Sequence, residues 1–167
     1  MKILENKDIR LVPLAQDHEY DYVRLANIPE INQRLSKPFP YSDNHFARQL
    51  ENVRGKEFYI WMIQRSGEII GVINSGAGRS PQLFQGGYWV EPPHWGKGVA
   101  SASLMLVRDF LLDECNVQRV QAVVEPDNIA SIRVLEKCGY EREGLLRKYY
   151  PSSNRGLVDV LMYAVVR

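Results

Sequence analysis

Cysteine is scarce. Only Cys115 and Cys138 occur in 167 residues, far apart and with no histidine at ligand spacing. A disulfide framework is excluded on that count, and a zinc site is not expected. Long hydrophobic runs are missing too. No apolar stretch approaches the ~18 residues that cross a bilayer, and none follows Met1-Lys2, so a membrane is not an expected partner and the cytoplasm is the expected location. Charge of one sign is also lacking. Twenty-one Lys and Arg residues face 20 Asp and Glu, a net charge of +1, which gives no pull toward nucleic acid. Arg142, Arg147 and Lys148 form a small basic cluster that reads as solvated surface. Internal repeats, low-complexity tracts and long linkers are absent as well. Residues 1–167 therefore read as one domain, with an ordinary globular composition of 45% hydrophobic and 25% charged residues.

What is present alternates between strand and helix patterns. Asp8 to Pro13 predicts a short strand, and residues 16–35 a helix broken near Asn27-Ile28-Pro29, because proline disfavours helix at the residue before it. Pro38 and Pro40 predict an extended segment, and Ser42 or Asp43 starts a second helix running to about Val53. From Glu57 the pattern turns to strands: Phe58 to Ile63, a tight turn at Ser66-Gly67, Ile69 to Ile73, then Gly87 to Val90. Such short connections imply an antiparallel meander. Ala100, Leu104, Val107 and Leu111 share one face of a helix starting near Val99. Val117 to Val124 predicts a strand, and Asn128 to Gly139 a helix with Ile129, Ile132 and Leu135 inward. Tyr140 to Tyr149 and Leu157 to Val165 predict the closing strands. The order implies an α/β (α+β) fold: a mixed, mostly antiparallel sheet of six to seven strands, flanked by about four helices, with a strand-helix-strand crossover in its middle.

Trp89 to Ser101 is the most informative segment. Pro92-Pro93 ends a strand, because proline gives no ladder hydrogen bond. Gly96 and Gly98 then let the backbone approach a ligand closely. The first N–H groups of the helix that follows lack internal partners and lie at its positive end, which suits a phosphate or pyrophosphate. Ala100, Ser101 and Ala102 keep the first turn small, and Lys97 adds a cation. Read as Gly96-x-Gly98-x-x-Ser101, the segment is a degenerate dinucleotide fingerprint, with Glu125 available to a ribose. Serine in place of the third glycine, the mid-chain position and the short remaining chain count against that reading. A Walker A loop is excluded, since no Gly-Lys-Ser/Thr stands at the required spacing. An ordinary tight turn with helix packing is the plain alternative.

The segment resembles the cofactor motif of the GNAT superfamily of N-acetyltransferases, usually Gln/Arg-x-x-Gly-x-Gly/Ala. Trp95, Gly98 and Ala100 stand at its first, fourth and sixth positions. The Trp-Gly-Lys-Gly variant looks like the branch of ribosomal-protein N-terminal alanine/serine acetyltransferases. Ile9-Arg10-Leu11, Gly87-Tyr88-Trp89-Val90, Pro126 to Ser131, Leu135 to Tyr140 and Glu143 to Arg147 extend the likeness over essentially the whole chain. It implies a single-domain fold whose sheet carries a central V-shaped splay, between the strand ending at Trp89-Val90 and a parallel neighbour near Val123-Val124. Acetyl-CoA is the implied cofactor. Its pantetheine arm would lie in the splay and its pyrophosphate on the amides of Lys97, Gly98, Val99, Ala100 and Ser101. Trp89, Val90, Trp95, Gly96, Asn128 and Ser131 complete the implied cofactor-binding set.

Acetyl transfer to an amine needs a base, a donor to the thioester oxygen and a proton for the leaving thiolate. By resemblance the Val90 amide is the donor. Many superfamily members place a tyrosine acid seven residues after the asparagine, a position held here by Leu135, so Ser131 is the candidate acid. A helix-capping hydroxyl is the alternative for Ser131. Glu125 ranks first as base, with Glu91 and His94 as alternatives and an exposed strand-end carboxylate as the plain reading. His18 and His45 carry no chemical signal. The implied acceptor side comprises Pro38 to Tyr41, the loop Gly76 to Gln85, and Tyr149 to Asn154. Without an acidic run there, polycationic acceptors are disfavoured, and a protein N-terminus or a small primary amine is expected. A homodimer is the default assembly. Two other functions stay open, a non-catalytic acyl-CoA-binding module and a dinucleotide-binding protein.

Overall fold

The computed structural model of the chain describes residues 1–36, 40–54, 58–152 and 154–167. Eight strands form one sheet: β1 (Leu4–Glu5), β2 (Arg10–Pro13), β3 (Phe58–Arg65), β4 (Glu68–Ala77), β5 (Leu83–Val90), β6 (Arg119–Val124), β7 (Glu141–Ser152) and β8 (Gly156–Val166). They lie in the order β1-β2-β3-β4-β5-β6-β8-β7, and among the described residues only β5 and β6 pair in parallel. The helices are α1 (Glu19–Ala26), α2 (Pro29–Asn32), α3 (Asp43–Arg54), α4 (Val99–Asp109) and α5 (Ile129–Lys137). The expected mixed α/β architecture is therefore present, with eight strands and five α-helices among the described residues where six to seven and about four were expected.

The additional strand, β1, is two residues long and pairs Leu4 with Leu11. Two residues are too few to show a period. The break expected in the first helical stretch falls at Ile28, which is extended (φ −63°, ψ 124°), and Pro29 opens α2 from its first turn, where a missing N–H costs nothing. Ser66 and Gly67 both have positive φ, the geometry of the tight hairpin turn joining β3 to β4. β6 starts at Arg119, two residues later than expected, because the Val117 N–H closes back on the Leu111 carbonyl at 3.0 Å. That closure follows a π-helical turn, Phe110–Glu114, in which the Cys115 N–H reaches the Phe110 carbonyl.

Strand alternation divides the core in two. From β3, Ile60 and Met62 turn toward Tyr22 and Leu25 of α1 and Phe46 of α3. Trp61 and Ile63 turn toward Val99, Leu104, Val107 and Leu135 of α4 and α5. β3 is thus buried on both faces, which is why its sequence is a continuous apolar run. Among the described residues no helix is long and apolar enough to cross a membrane.

Gly86 is required by close packing. A Cβ there would run into the Asn74 carbonyl of β4, whereas one at neighbouring Gly87 meets open space. Gly86→Ala is expected to cost about 2 kcal/mol by overpacking, or roughly 4–8 °C in Tm for a domain of this size. Gly87→Ala should leave thermal unfolding nearly unchanged, and scanning calorimetry of the two variants checks the difference.

Candidate active site

β5 and β6 pair at only three positions, Leu83 with Arg119, Phe84 with Val120 and Gln85 with Gln121. Beyond them the strands part, each staying with its antiparallel partner: β5 follows β4 as far as Val90, and β6 follows β8 as far as Val124. The last pair is closed by a side-chain hydrogen bond from Gln121 Nε2 to Gln85 Oε1 at 2.7 Å.

Antiparallel alternation fixes which backbone groups face the gap. The Glu91 N–H donates to the Ile70 carbonyl, which makes Glu91 and Ile70 a bonded pair and Val90 with Gly71 a non-bonded one. Val90 and Tyr88 therefore turn their N–H and C=O groups away from β4, into the splay. On the other side the Arg167 N–H donates to Gln118, so Val123 is non-bonded toward β8 and also faces the gap. One of these groups is covered: the Trp95 indole Nε1 donates to the Val90 carbonyl at 2.5 Å.

The glycine turn lies at the open end. Gly96 (φ +71°) and Gly98 (φ +79°) are left-handed, and a Cβ at either would meet nothing within 4 Å. Gly98 is the N-cap of α4 and offers no side chain to its first N–H groups. The first helical bond runs from Ala102 to the Gly98 carbonyl, which leaves the N–H groups of Val99, Ala100 and Ser101 without helical partners. Lys97 is exposed between the two glycines. Trp89 offers the splay neither group: it stands in a bonded pair with Val72, so its N–H and C=O turn to β4, and its ring packs edge-on to Tyr22 at 5.6 Å.

α5 supplies the polar side chains. Asn128 caps it by accepting from the Ser131 N–H at 3.2 Å through Oδ1. The Ser131 hydroxyl is therefore not the cap. It pairs with the Tyr88 hydroxyl at 2.9 Å. Burial pushes the Tyr88 phenol up to about 12, against a smaller opposite pull from Ser131. Leu135 is buried in the core and offers no hydroxyl.

The carboxylates are all engaged. Glu125, at the end of β6, receives Arg155 Nη2 on Oε1 at 2.8 Å and lies 3.2 Å from Arg34 Nη1 through Oε2. Arg34 also grips Asp127 with both terminal nitrogens, at 2.9 and 3.2 Å. Glu91 pairs with Arg24 at 2.9 Å and lies 3.6 Å from His94 Nε2. Arg34, Arg155 and Tyr88 escape a reading of the sequence. The charges pair across 93 and 30 residues, and the tyrosine reads only as strand. Of the expected acceptor side, Pro38, Phe39 and Ser153 lie outside the described residues, while Tyr41 is buried against Tyr22. Among the described residues no cluster of His, Cys, Asp and Glu could hold a metal.

Comparison with known proteins places the chain in a family. The family model described as "Acetyltransferase (GNAT) domain" matches residues 8–141. The chain belongs to the GNAT acetyltransferase family. Its relatives include the uncharacterized N-acetyltransferase p20 of Bacillus licheniformis, 38% identical over 48% of this chain and 45% of the relative. The uncharacterized N-acetyltransferase YoaA of Bacillus subtilis (strain 168) is 31% identical over 92% of this chain and 83% of its own. The chain thus spans less than half of p20 but most of YoaA. Among solved structures, RimL, a ribosomal L7/L12 α-N-protein acetyltransferase in complex with coenzyme A, superposes with a TM-score of 0.86 at 21% identity, covering 99% of this chain and 98% of that one. At that identity the likeness is one of GNAT fold.

Beside the end of β6 the Arg34 guanidinium holds the Asp127 carboxyl below its ordinary range. A depressed carboxyl keeps its charge down to lower pH than the usual value of ~3.9, and the pairing is lost as pH falls through the depressed value. Arg34→Ala should move the Asp127 titration up toward ~3.9, read by carboxyl-carbon NMR. An unmoved titration would show that the pair does not form in solution.

Proposed function

We propose that the chain is an acetyl-CoA-dependent N-acetyltransferase that moves an acetyl group to a primary amine by direct transfer in a ternary complex. The acceptor is a protein or peptide N-terminal α-amine, or a small-molecule amine. The observation that carries this reading is the splay: the backbone groups of Tyr88 and Val123 and the Val90 N–H, all turned into the gap, lead directly to the uncapped start of α4. An amide-rich arm laid in the gap adds as a strand would, and a pyrophosphate at its end meets the amides of Val99, Ala100 and Ser101. The open space beside Gly96 and Gly98 gives the backbone close access, Lys97 adds charge, and the exposed Trp95 ring walls the turn. Asn128 spends its oxygen on the helix cap and keeps its amide nitrogen for a ligand carbonyl. RimL, solved with coenzyme A, supports the cofactor.

Bound there, acetyl-CoA supplies an activated acyl carbon and a thiol leaving group. The Val90 N–H is aimed into the splay and donates to the thioester oxygen. Ser131 holds a proton for the sulfur. Glu125 accepts the ammonium proton, directly or through a water: a carboxylate offers about four lone-pair sites, and Arg34 with Arg155 fills only part of them. The near-neutral charge of the chain favours an α-amine or small monoamine over a polycation. The cytoplasmic location and the homodimer expected from the sequence belong to the same proposal.

A thermal-shift titration with acetyl-CoA, CoA and NAD tests it. Acetyl-CoA at a hundredfold excess over Kd should stabilise the wild type by about 2.7 kcal/mol, or roughly 5–10 °C. Gly98→Glu, which puts a carboxylate at the helix start, should abolish that shift. Stabilisation by NAD alone would point to dinucleotide binding. A shift with acetyl-CoA but no transfer to any of a panel of amines would leave an acyl-CoA-binding module.

A further inference from the structure

Ser131 is the residue on which the proposed proton delivery depends, and its hydroxyl is not free to point anywhere. Its backbone is fixed in the first turn of α5 by the Asn128 cap. Its oxygen makes no bond back to a helix carbonyl, in contrast with Ser103, whose hydroxyl donates to Val99 at 2.9 Å in the ordinary way of a helical serine. The one side-chain partner of Ser131 among the described residues is Tyr88, at 2.9 Å across 43 residues of sequence.

We propose that Tyr88 is a positioning residue that donates its phenolic hydrogen to Ser131 Oγ and so frees the Ser131 hydrogen to point at the leaving sulfur. Two hydroxyls sharing one contact must divide the roles of donor and acceptor. A phenol is a stronger donor than an alkyl hydroxyl, and this one, pushed up to about 12 by burial, keeps its proton throughout the working pH range. Among the described residues its titratable neighbours make no hydrogen bond to it and carry no charge that would draw its hydrogen away. The Cys138 thiol and the Tyr140 phenol are both raised by burial and stay neutral. Tyr88 also belongs to β5, two residues before Val90. The strand that would hold the thioester oxygen by its backbone would then orient the proton donor by its side chain. In the transfer the C–N bond forms and the C–S bond breaks. The ammonium nitrogen sheds two protons, one to Glu125 and one that, relayed through water, replaces the proton Ser131 passes to the sulfur, so the serine ends as a neutral hydroxyl. Tyr88 loses none. Its hydrogen bond polarises the serine hydroxyl and removes the rotamers that would aim it elsewhere.

The inference rests on the acetyltransferase reading, and a binding measurement separates the two. The thiolate absorbance of bound CoA, followed against pH, gives the pKa of its thiol in the wild type, Tyr88→Phe, Ser131→Ala and the double variant. If Tyr88 acts through Ser131, each single change raises that pKa and the double variant raises it no further than Ser131→Ala alone. In Tyr88→Phe, whose backbone alone faces the cofactor, the Kd for CoA should stay within about twofold. Turnover by Tyr88→Phe should fall roughly fivefold in kcat, the worth of one hydrogen bond of about 1 kcal/mol, with little change in KM. Additive effects in the double variant, or an unmoved thiol pKa in Tyr88→Phe, would overturn the proposal while leaving the transferase reading intact. Failure of the wild type to bind CoA would overturn both. Should Tyr88→Phe fold poorly, 3,5-difluorotyrosine at position 88 keeps the ring and sharpens the phenol as a donor. The bound thiol pKa should then fall, and an unchanged value overturns the proposal.

Discussion

The parallel ladder between β5 and β6 is only three residue pairs long, and most of the site follows from where it stops. Up to Gln85 and Gln121 the two strands belong to one sheet. Past that point each remains bound to its antiparallel neighbour, so neither can bend to the other without breaking a longer ladder. The result is two half-sheets sharing a short seam. The groups left over at the mouth of the seam are main-chain donors and acceptors, which water or a ligand must satisfy. Pro92 and Pro93, which cannot extend β5, and the left-handed glycines after them set the distance from that mouth to the start of α4.

Polar side chains around the splay fall into two kinds. On the inner side Tyr88 and Ser131 form an uncharged pair in a place where burial penalises charge. On the outer side Arg34, Arg155, Glu125 and Asp127 form a balanced set of ion pairs that ties the turn after α2 and the β7–β8 connection to the end of β6. Surface pairs of this sort contribute little stability individually. Their effect is geometric. They hold three segments that are distant in sequence around one carboxylate.

Much of this was readable from local sequence. The glycine turn, the helix start at Pro126-Asp127-Asn128 and the meander each need only residues within one turn or hairpin of one another, and local chemistry specifies them. Ser131 was recognisable as a polar residue in the first turn of a helix, but not as the partner of Tyr88, because nothing in Gly87-Tyr88-Trp89-Val90 says which strand face meets which helix. The same limit hid Arg34 and Arg155, which look like any other exposed cation until the fold brings them to Glu125. β1 escaped for a different reason. Its two residues carry no period, and its pairing with β2 exists only once β2 has a sheet to belong to.

The π-helical turn at Phe110–Glu114 bears on all of this from a distance. Its wider turn lets consecutive residues, Phe110 and Leu111, both reach the core, Phe110 meeting Trp61 edge-on and Leu111 fully buried. It also sets the phase in which the chain enters β6. Removing one residue there would advance β6 by one position, turning Val120, Ala122 and Val124 from the α4–α5 core to the other face. The same slip would swap the backbone direction at Val123, so that the mouth of the splay lost its donor and acceptor to β8. An irregularity in a helix, remote from any reacting atom, thus works as the spacer that keeps one wall of the cleft in register, and the length of that turn is under the same constraint as the cleft itself.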